Sequence, residues 1–179
     1  PVEFWPESRA ALARLRAAGA TLYNQHPLLK GVNDDLGTLT ALYAALRDND
    51  VEAHYLFHAI PLRGMSHHRT SVRKGAELAL RLNASGEFSG RAKPRYALMT
   101  DIGKIVLYEG AIIRRRAADN AILVRSGYRA EDRLRWNPSW RVPDSVEIDA
   151  EGFMCVWYQD GDAAAAPATA SAHELALQD

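Results

Sequence analysis

Apolar residues recur along the first hundred positions with two alternating periods. Glu7 to Ala18 places Leu12, Leu15 and several alanines on one stripe and Arg9, Arg14 and Arg16 on the other. That spacing predicts an amphipathic helix, with Gly19 placed to stop it. Ala20 to Gln25 is strand-like. Leu39, Leu42, Tyr43 and Leu46 return to helical spacing and predict a second helix over Leu36 to Arg47, capped by Asp34 or Asp35. Asp48-Asn49-Asp50 then turns the chain into Val51 to Ala59, a strand rich in aromatic rings (His54, Tyr55, Phe57, His58). Ser71 is placed to cap a third helix whose inner stripe holds Gly75, Leu78 and Leu82 and which ends at Asn83 to Gly86. Arg95 to Leu107 is strand-like again, broken by a turn at Asp101-Ile102-Gly103. The order α-β-α-β-α-β predicts an α/β fold with parallel strands and right-handed crossovers. Three such strands make a piece of a barrel or open sheet.

From Ala111 the pattern changes. Ile112 to Arg115, Ala121 to Arg125, Val146 to Asp149 and Phe153 to Tyr158 are short β segments separated by turns at Ala118-Asp119-Asn120 and Glu151-Gly152. They predict an antiparallel meander with Trp136, Trp140 and Trp157 anchoring its core. Past Gly161 an alanine-rich tail predicts disorder or a frayed helix. The expected division is therefore an α/β part over 1–110, a β-rich extension over 111–161 and a tail over 162–179.

Composition narrows the classes. Lys+Arg and Asp+Glu balance at 22 each, so no global field recruits nucleic acid or an anionic membrane. Hydrophobic content is 47%, ordinary for a globular protein, and no run approaches a membrane span or a secretion signal. One cysteine, Cys155, excludes an internal disulfide and an iron–sulfur cluster held by this sequence alone. A reducing cytoplasm is the expected compartment. The chain starts at Pro1 and enters a helix without a preceding strand, which suggests the carboxy-terminal part of a longer protein.

Three stretches carry candidate chemistry. Asn24-Gln25-His26-Pro27-Leu28-Leu29-Lys30-Gly31-Val32-Asn33-Asp34-Asp35 lies where a strand of an α/β fold delivers polar groups to a ligand crevice. Gln25 is an amide suited to a phosphate or carboxylate, or to tying its strand to a neighbour; Gly31 and Asn33 suit a tight turn. Tyr55-Leu56-Phe57-His58 leads into Pro61-Leu62-Arg63-Gly64-Met65-Ser66-His67-His68-Arg69. The spacing of His54, His58, His67 and His68 does not suit a metal, and no metal ligand is assigned. Arg69 would bind an anion or anchor its loop. Thr100-Asp101-Ile102-Gly103-Lys104 puts a lysine in the turn after the last parallel strand. By itself Lys104 is a β-turn lysine; held near an active centre, it becomes an amine able to attack an aldehyde.

These three stretches together, with Ser89-Gly90 and Pro94 before the last strand, resemble the lysine 2,3-aminomutase family, radical S-adenosylmethionine enzymes that also carry pyridoxal phosphate. The resemblance runs from about Thr21 to Leu107, about half the chain. It implies a carboxy-terminal portion of a radical-SAM partial (β/α) barrel. It places Asn24 and Gln25 at the cofactor phosphate, and Gly64, His67 and Arg69 on the family's Gly, His and Arg. Lys104 then falls at the lysine that joins pyridoxal phosphate as an imine. It also implies S-adenosylmethionine and a [4Fe–4S] cluster whose ligands fall outside this sequence, an amino-acid substrate, an external electron donor and a homo-oligomer. The implied reaction migrates an amino group from C2 to C3.

Two departures bear on the substrate. The family's glycine run is contracted here to Asp-Ile-Gly. Ile60 and Met99 occupy positions where lysine-specific members hold aspartates for the distal ammonium. Two apolar side chains leave such a charge uncompensated, at a cost of several kcal/mol. Asp101 is close enough to substitute as a substrate-binding carboxylate. The expectation is a 2,3-aminomutase-like isomerase with a substrate other than lysine, inactive as this chain alone. A related radical enzyme of different substrate, or a non-catalytic binding or assembly module, is the competing class.

Overall fold

The computed structural model describes residues 4–161. The expected tail over 162–179 lies outside them. The fold is mixed α/β, with parallel strands in its first part and an antiparallel sheet in its second. Two compact units divide the described residues: the first holds 4–59 and 68–97, the second 60–67 and 98–161.

In the first unit, α1 (Pro6–Ala17) opens on a proline, which needs no donor there, and closes with Arg14 and Arg16 in its last turn. None of its residues is buried, and Leu15, expected to face the core, is half exposed. Arg16 ties it down by donating to the Asn49 carbonyl at 3.0 Å. β1 (Tyr23–Leu28) lies three residues further along than its pattern suggested. It reaches through Pro27, which an edge strand tolerates. α2 (Leu36–Asp48) is capped by Asp35, whose carboxylate accepts from the Thr38 amide at 2.8 Å. β2 (Glu52–His58) pairs parallel with β1, and the opening residues of β3 (Arg95–Thr100) pair parallel with β2. α3 (Val72–Ala84) is capped by Ser71 and buries Gly75, Leu78 and Leu82, the stripe expected from its spacing, together with Val72 and Ala79.

Leu28, Leu39, Leu56 and Leu82 are fully buried between strands and helices, each worth about 2 kcal/mol relative to exposure. α3 comes close enough that a Cβ on Gly75 would sit 2.0 Å from the Tyr96 hydroxyl oxygen. Only glycine allows that approach.

The boundary between the units falls inside β3. In the second unit a two-residue turn, Asp101-Ile102, leads to β4 (Gly103–Val106). Then come β5 (Ile112–Arg116), β6 (Ala121–Arg129), α4 (Ala130–Trp136), β7 (Val146–Ile148) and β8 (Phe153–Gln159). The strand order is β5-β6-β8-β7, so the expected meander is corrected. α4 and the loop after it carry the chain past β6, and β8 returns into the gap beside it. β6 pairs antiparallel with β5 and β8, and β7 with β8.

The tryptophans do not form this core. Trp136 is 81% exposed. Trp140 lies under the Arg133 guanidinium at 5.3 Å, and Trp157 under those of Arg114 and Arg116 at 5.1 and 4.1 Å. Ile112, Ile122, Leu123, Val124, Met154, Val156 and Tyr158 are among the residues buried there. The guanidiniums face the negative ring faces, a cation–π arrangement that needs no deep burial of the rings.

Candidate functional site

β1 delivers its two candidate residues to opposite faces. Asn24 lies with His26 and Leu28 on the face toward α2, and its Oδ1 accepts from His26 Nδ1 at 2.6 Å. The His26 ring packs on Tyr43 of α2, centroids 5.5 Å apart, and its Nε2 is buried without a partner among the described residues. Burial pushes the imidazole down to about 4. Gln25 lies on the other face and is exposed.

Across that outer face, register aligns Gln25 with Tyr55 and Tyr55 with Arg95. An amide, a phenol and an exposed guanidinium therefore form one row over three parallel strands. Tyr55 and Phe57 add ring surface beside it, centroids 5.4 Å apart. Arg95 carried no local signal in the sequence; only the register of β2 against β3 brings it into the row.

The loop after β1 is bound largely to itself. Asn33 Oδ1 accepts from the Leu29 amide at 2.7 Å, and its Nδ2 donates to the Pro27 carbonyl at 3.0 Å. Asp34 accepts from the Gly31 amide at 2.8 Å and pairs with Lys74. Burial alone would raise the Asp34 carboxyl, but the Lys74 ammonium and the Gly31 amide outweigh it and hold it below the ordinary range. Gly31 sits at φ +75°, the left-handed conformation its turn requires. The Lys30 amide donates to the His68 carbonyl at 2.9 Å, fastening this loop to the one after β2.

Arg69, left open between anion binding and anchoring, is buried and donates from Nε to the Ala59 carbonyl at 2.8 Å, so it anchors its loop. His58 is fully buried, with Nε2 2.8 Å from the Thr70 carbonyl oxygen. Among the described residues no group of three or more His, Cys, Asp and Glu side chains could hold a metal ion, and no helix is long and apolar enough to cross a membrane.

Asp101 and Lys104 belong to the second unit. Their turn is held from several sides. Thr100 Oγ1 donates to the Gly103 carbonyl at 2.7 Å, and Arg133 Nη2 donates to the Ile102 carbonyl at 2.6 Å. The Tyr128 hydroxyl donates to the Lys104 carbonyl at 2.5 Å, and Ser145 Oγ donates to Asp101 Oδ2 at 2.5 Å. Ile102 and Ile105 are buried, and Lys104, between them on β4, is half-buried. Beside the turn a cleft of about 400 Å³ is lined by Ile60, Met99, Thr100, Asp101, Trp157 and Tyr158, among others. Ile60, Met99 and Asp101, the three positions that bear on substrate charge, thus share one cleft.

The chain is 41% identical over 98 residues to the L-lysine 2,3-aminomutase of Methanococcus maripaludis, covering 55% of this chain and 22% of that protein. It is 36% identical over 96 residues to the glutamate 2,3-aminomutase of Clostridioides difficile, 54% of this chain and 22% of that one. Over 63 residues it is 43% identical to the L-lysine 2,3-aminomutase of Escherichia coli, 35% of this chain and 18% of that one. Over these stretches the chain is similar to 2,3-aminomutases. It spans about a quarter of the length of the curated relatives it matches. No protein-family profile matches it. The resemblance drawn from the three stretches is thereby upheld as a likeness to 2,3-aminomutases.

Proposed function

We propose that this chain is the carboxy-terminal portion of a radical-SAM, pyridoxal phosphate-dependent isomerase that moves an amino group between C2 and C3 of an amino acid. The observation that carries this reading is the likeness, at similar identity and coverage, to relatives named for lysine and for glutamate. Their names differ in substrate and agree in reaction, so the reaction transfers better than the substrate does.

The residues present fit part of the cofactor set. Lys104 offers a primary amine on a turn whose backbone is fixed at three carbonyls. Gln25, with Tyr55 and Arg95 beside it, offers donors to an anionic group on the open face of the parallel strands. Pyridoxal phosphate, when bound, supplies an aldehyde for the amine and a ring that spreads unpaired spin. Under this reading Lys104 is the amine proposed for the aldehyde, and Asn24 and Gln25 are the residues proposed for the phosphate. The cluster does not fit this sequence. Its one cysteine, Cys155, is buried, and burial raises its thiol, so no step through a cluster is derived from these residues. Under this reading the cluster, the S-adenosylmethionine contacts and the electron donor belong to other sequence, in a cytoplasmic homo-oligomer built on a partial (β/α) barrel.

Substrate choice follows the cleft. Ile60 and Met99 offer no charge to a buried ammonium, and among the described residues Asp101 is the one carboxylate lining the cleft. An amino acid other than lysine is the proposed substrate, with Asp101 contacting its polar end.

The test is an absorbance spectrum of the anaerobically purified full-length protein before and after borohydride, followed by peptide mapping. A pyridoxyl label on Lys104 beside an iron–sulfur absorbance is the expected result. Absence of the label from Lys104 overturns the assignment of the amine. Absence of both chromophores leaves the non-catalytic module as the better reading.

A further inference from the structure

Four side chains converge on the five residues Thr100 to Lys104, and three of them come from sequence well beyond that turn. Tyr128 stands at the end of β6, Arg133 on α4, and Ser145 before β7. Each reaches a different residue: the Lys104 carbonyl, the Ile102 carbonyl and the Asp101 carboxylate. Turn residues that make only one hairpin connection leave their carbonyls to water. Here Arg133 makes a charge-assisted bond to the carbonyl of a buried residue, the stronger class of hydrogen bond. Its guanidinium is in turn laid over Trp140, so its position is set by packing as well. Gly103, at φ +105°, lets the chain reverse in the space these groups leave, and a Cβ there would come within 4.0 Å of Arg133 Nη2.

We propose that Tyr128, Arg133 and Ser145 are positioning residues that aim Lys104 at its aldehyde partner. This assignment rests on the proposed role of Lys104. A flexible lysine searches many rotamers; a lysine whose own carbonyl and the carbonyl two residues before it are pinned has its Cα–Cβ direction fixed. The work of alignment is then done before the ligand arrives. The β-rich segment past Ala111 thereby acquires a function of its own: it is the frame against which the lysine turn is set. Asp101, held by Ser145, is oriented by the same frame, so the amine and the carboxylate keep a constant relation across the turn.

The experiment is pyridoxal phosphate binding and borohydride trapping on the full-length protein, comparing the parent with Tyr128→Phe, Arg133→Gln and Arg133→Lys. Tyr128 is 42% exposed and the substitution removes one oxygen, so the fold is retained. The expected result is a loss of affinity at Lys104 of about tenfold for Tyr128→Phe and for Arg133→Gln, with most of it recovered in Arg133→Lys. The unfolding transition of Tyr128→Phe stays that of the parent, which a merely structural role would not combine with lost affinity. Labelling of both variants at parental affinity overturns the proposal and leaves the role of Lys104 standing. A parent that takes no label on Lys104 overturns both. Should Arg133→Gln fail to fold, Tyr128→Phe decides alone.

Discussion

His26 Nδ1 lies 2.6 Å from Asn24 Oδ1, and this pair turns both side chains toward α2 while Gln25, between them, faces the other way. With Oδ1 accepting, the ring proton sits on Nδ1 and the buried Nε2 is a bare acceptor. Protonating that nitrogen would place a charge against Tyr43, whose own hydroxyl burial pushes strongly up. The ring therefore stays neutral.

A pH dependence follows. His26 titrates at about 4 in the folded chain against 6.5 when unfolded. Between those values the unfolded state binds more protons, so stability is complete above 6.5 and is lost as pH falls toward 4. The expected loss is about 2 kcal/mol from pH 7.5 to pH 5. Asp34 is held below the ordinary carboxylate range and titrates beneath this window. Urea unfolding at the two pH values measures it, and His26→Leu should flatten the profile. A parent whose midpoint does not move over that range contradicts neutral burial.

Gly75 tests the approach of α3 to β3. In an open helix position alanine is favoured over glycine by about 1 kcal/mol. Here the added methyl would meet the Tyr96 hydroxyl and ring carbons at 2.0 to 2.7 Å, and Tyr96 is buried. Overpacking of that kind costs about 1–3 kcal/mol and exceeds the propensity gain. Gly75→Ala is therefore expected to lower stability by about 1 to 2 kcal/mol, and Tyr96→Leu in the same chain to return part of it. A stabilised Gly75→Ala would show that the helix can move away from the ring.

The strands and caps were legible because each is a local matter. Ser71 and Asp35 mark helix starts by chemistry within three residues, and the alternation around Leu56 and His58 marks a strand with one covered face. Pro27 hid the end of β1, since a proline argues against a strand until the strand is known to be an edge. α4 carries Arg and Asp or Glu through most of seven residues and has no apolar stripe to announce it. Strand order in the second sheet depends on how α4 and its loop route the chain, which spacing does not encode. The same divide runs through the candidate site. Gln25, Asp101 and Lys104 stand in local motifs, whereas Tyr128, Arg133 and Ser145 reach the lysine turn from 24 to 44 residues away.

Trp157 tests the surface of the second unit. Its ring lies under two guanidiniums, and its Nε1 donates to Glu147 at 2.7 Å. Trp157→Ala removes the platform for Arg114 and Arg116 and uncovers part of Leu123, its register partner on β6. Stacking of each guanidinium is worth about 0.5–1 kcal/mol at an exposed ring, and the lost apolar cover adds to it. The expected total is about 2 kcal/mol. Trp157→Phe keeps the ring and should lose less than half of that. Thermal unfolding of the three proteins measures the series, and equal losses in both variants would assign the effect to the indole donor.

The cleft makes the substrate reading testable by addition. Ile60 and Met99 line it with Asp101, and both are partly exposed at 43% and 36%, so carboxylates there would not be buried unpaired. The double substitution Ile60→Asp with Met99→Asp adds two charges where an ammonium could be met. Each added charge pair near a protein surface is worth about 1 kcal/mol after screening, so the variant of the full-length protein is expected to bind lysine roughly tenfold to thirtyfold more tightly than the parent does. A neutral amino acid of similar length should gain nothing, which separates charge from shape. Titration calorimetry with both ligands reads the difference. If lysine affinity is unchanged, the distal end of the substrate does not lie in this cleft. If the parent already binds lysine tightly, Asp101 alone suffices and the case against lysine falls.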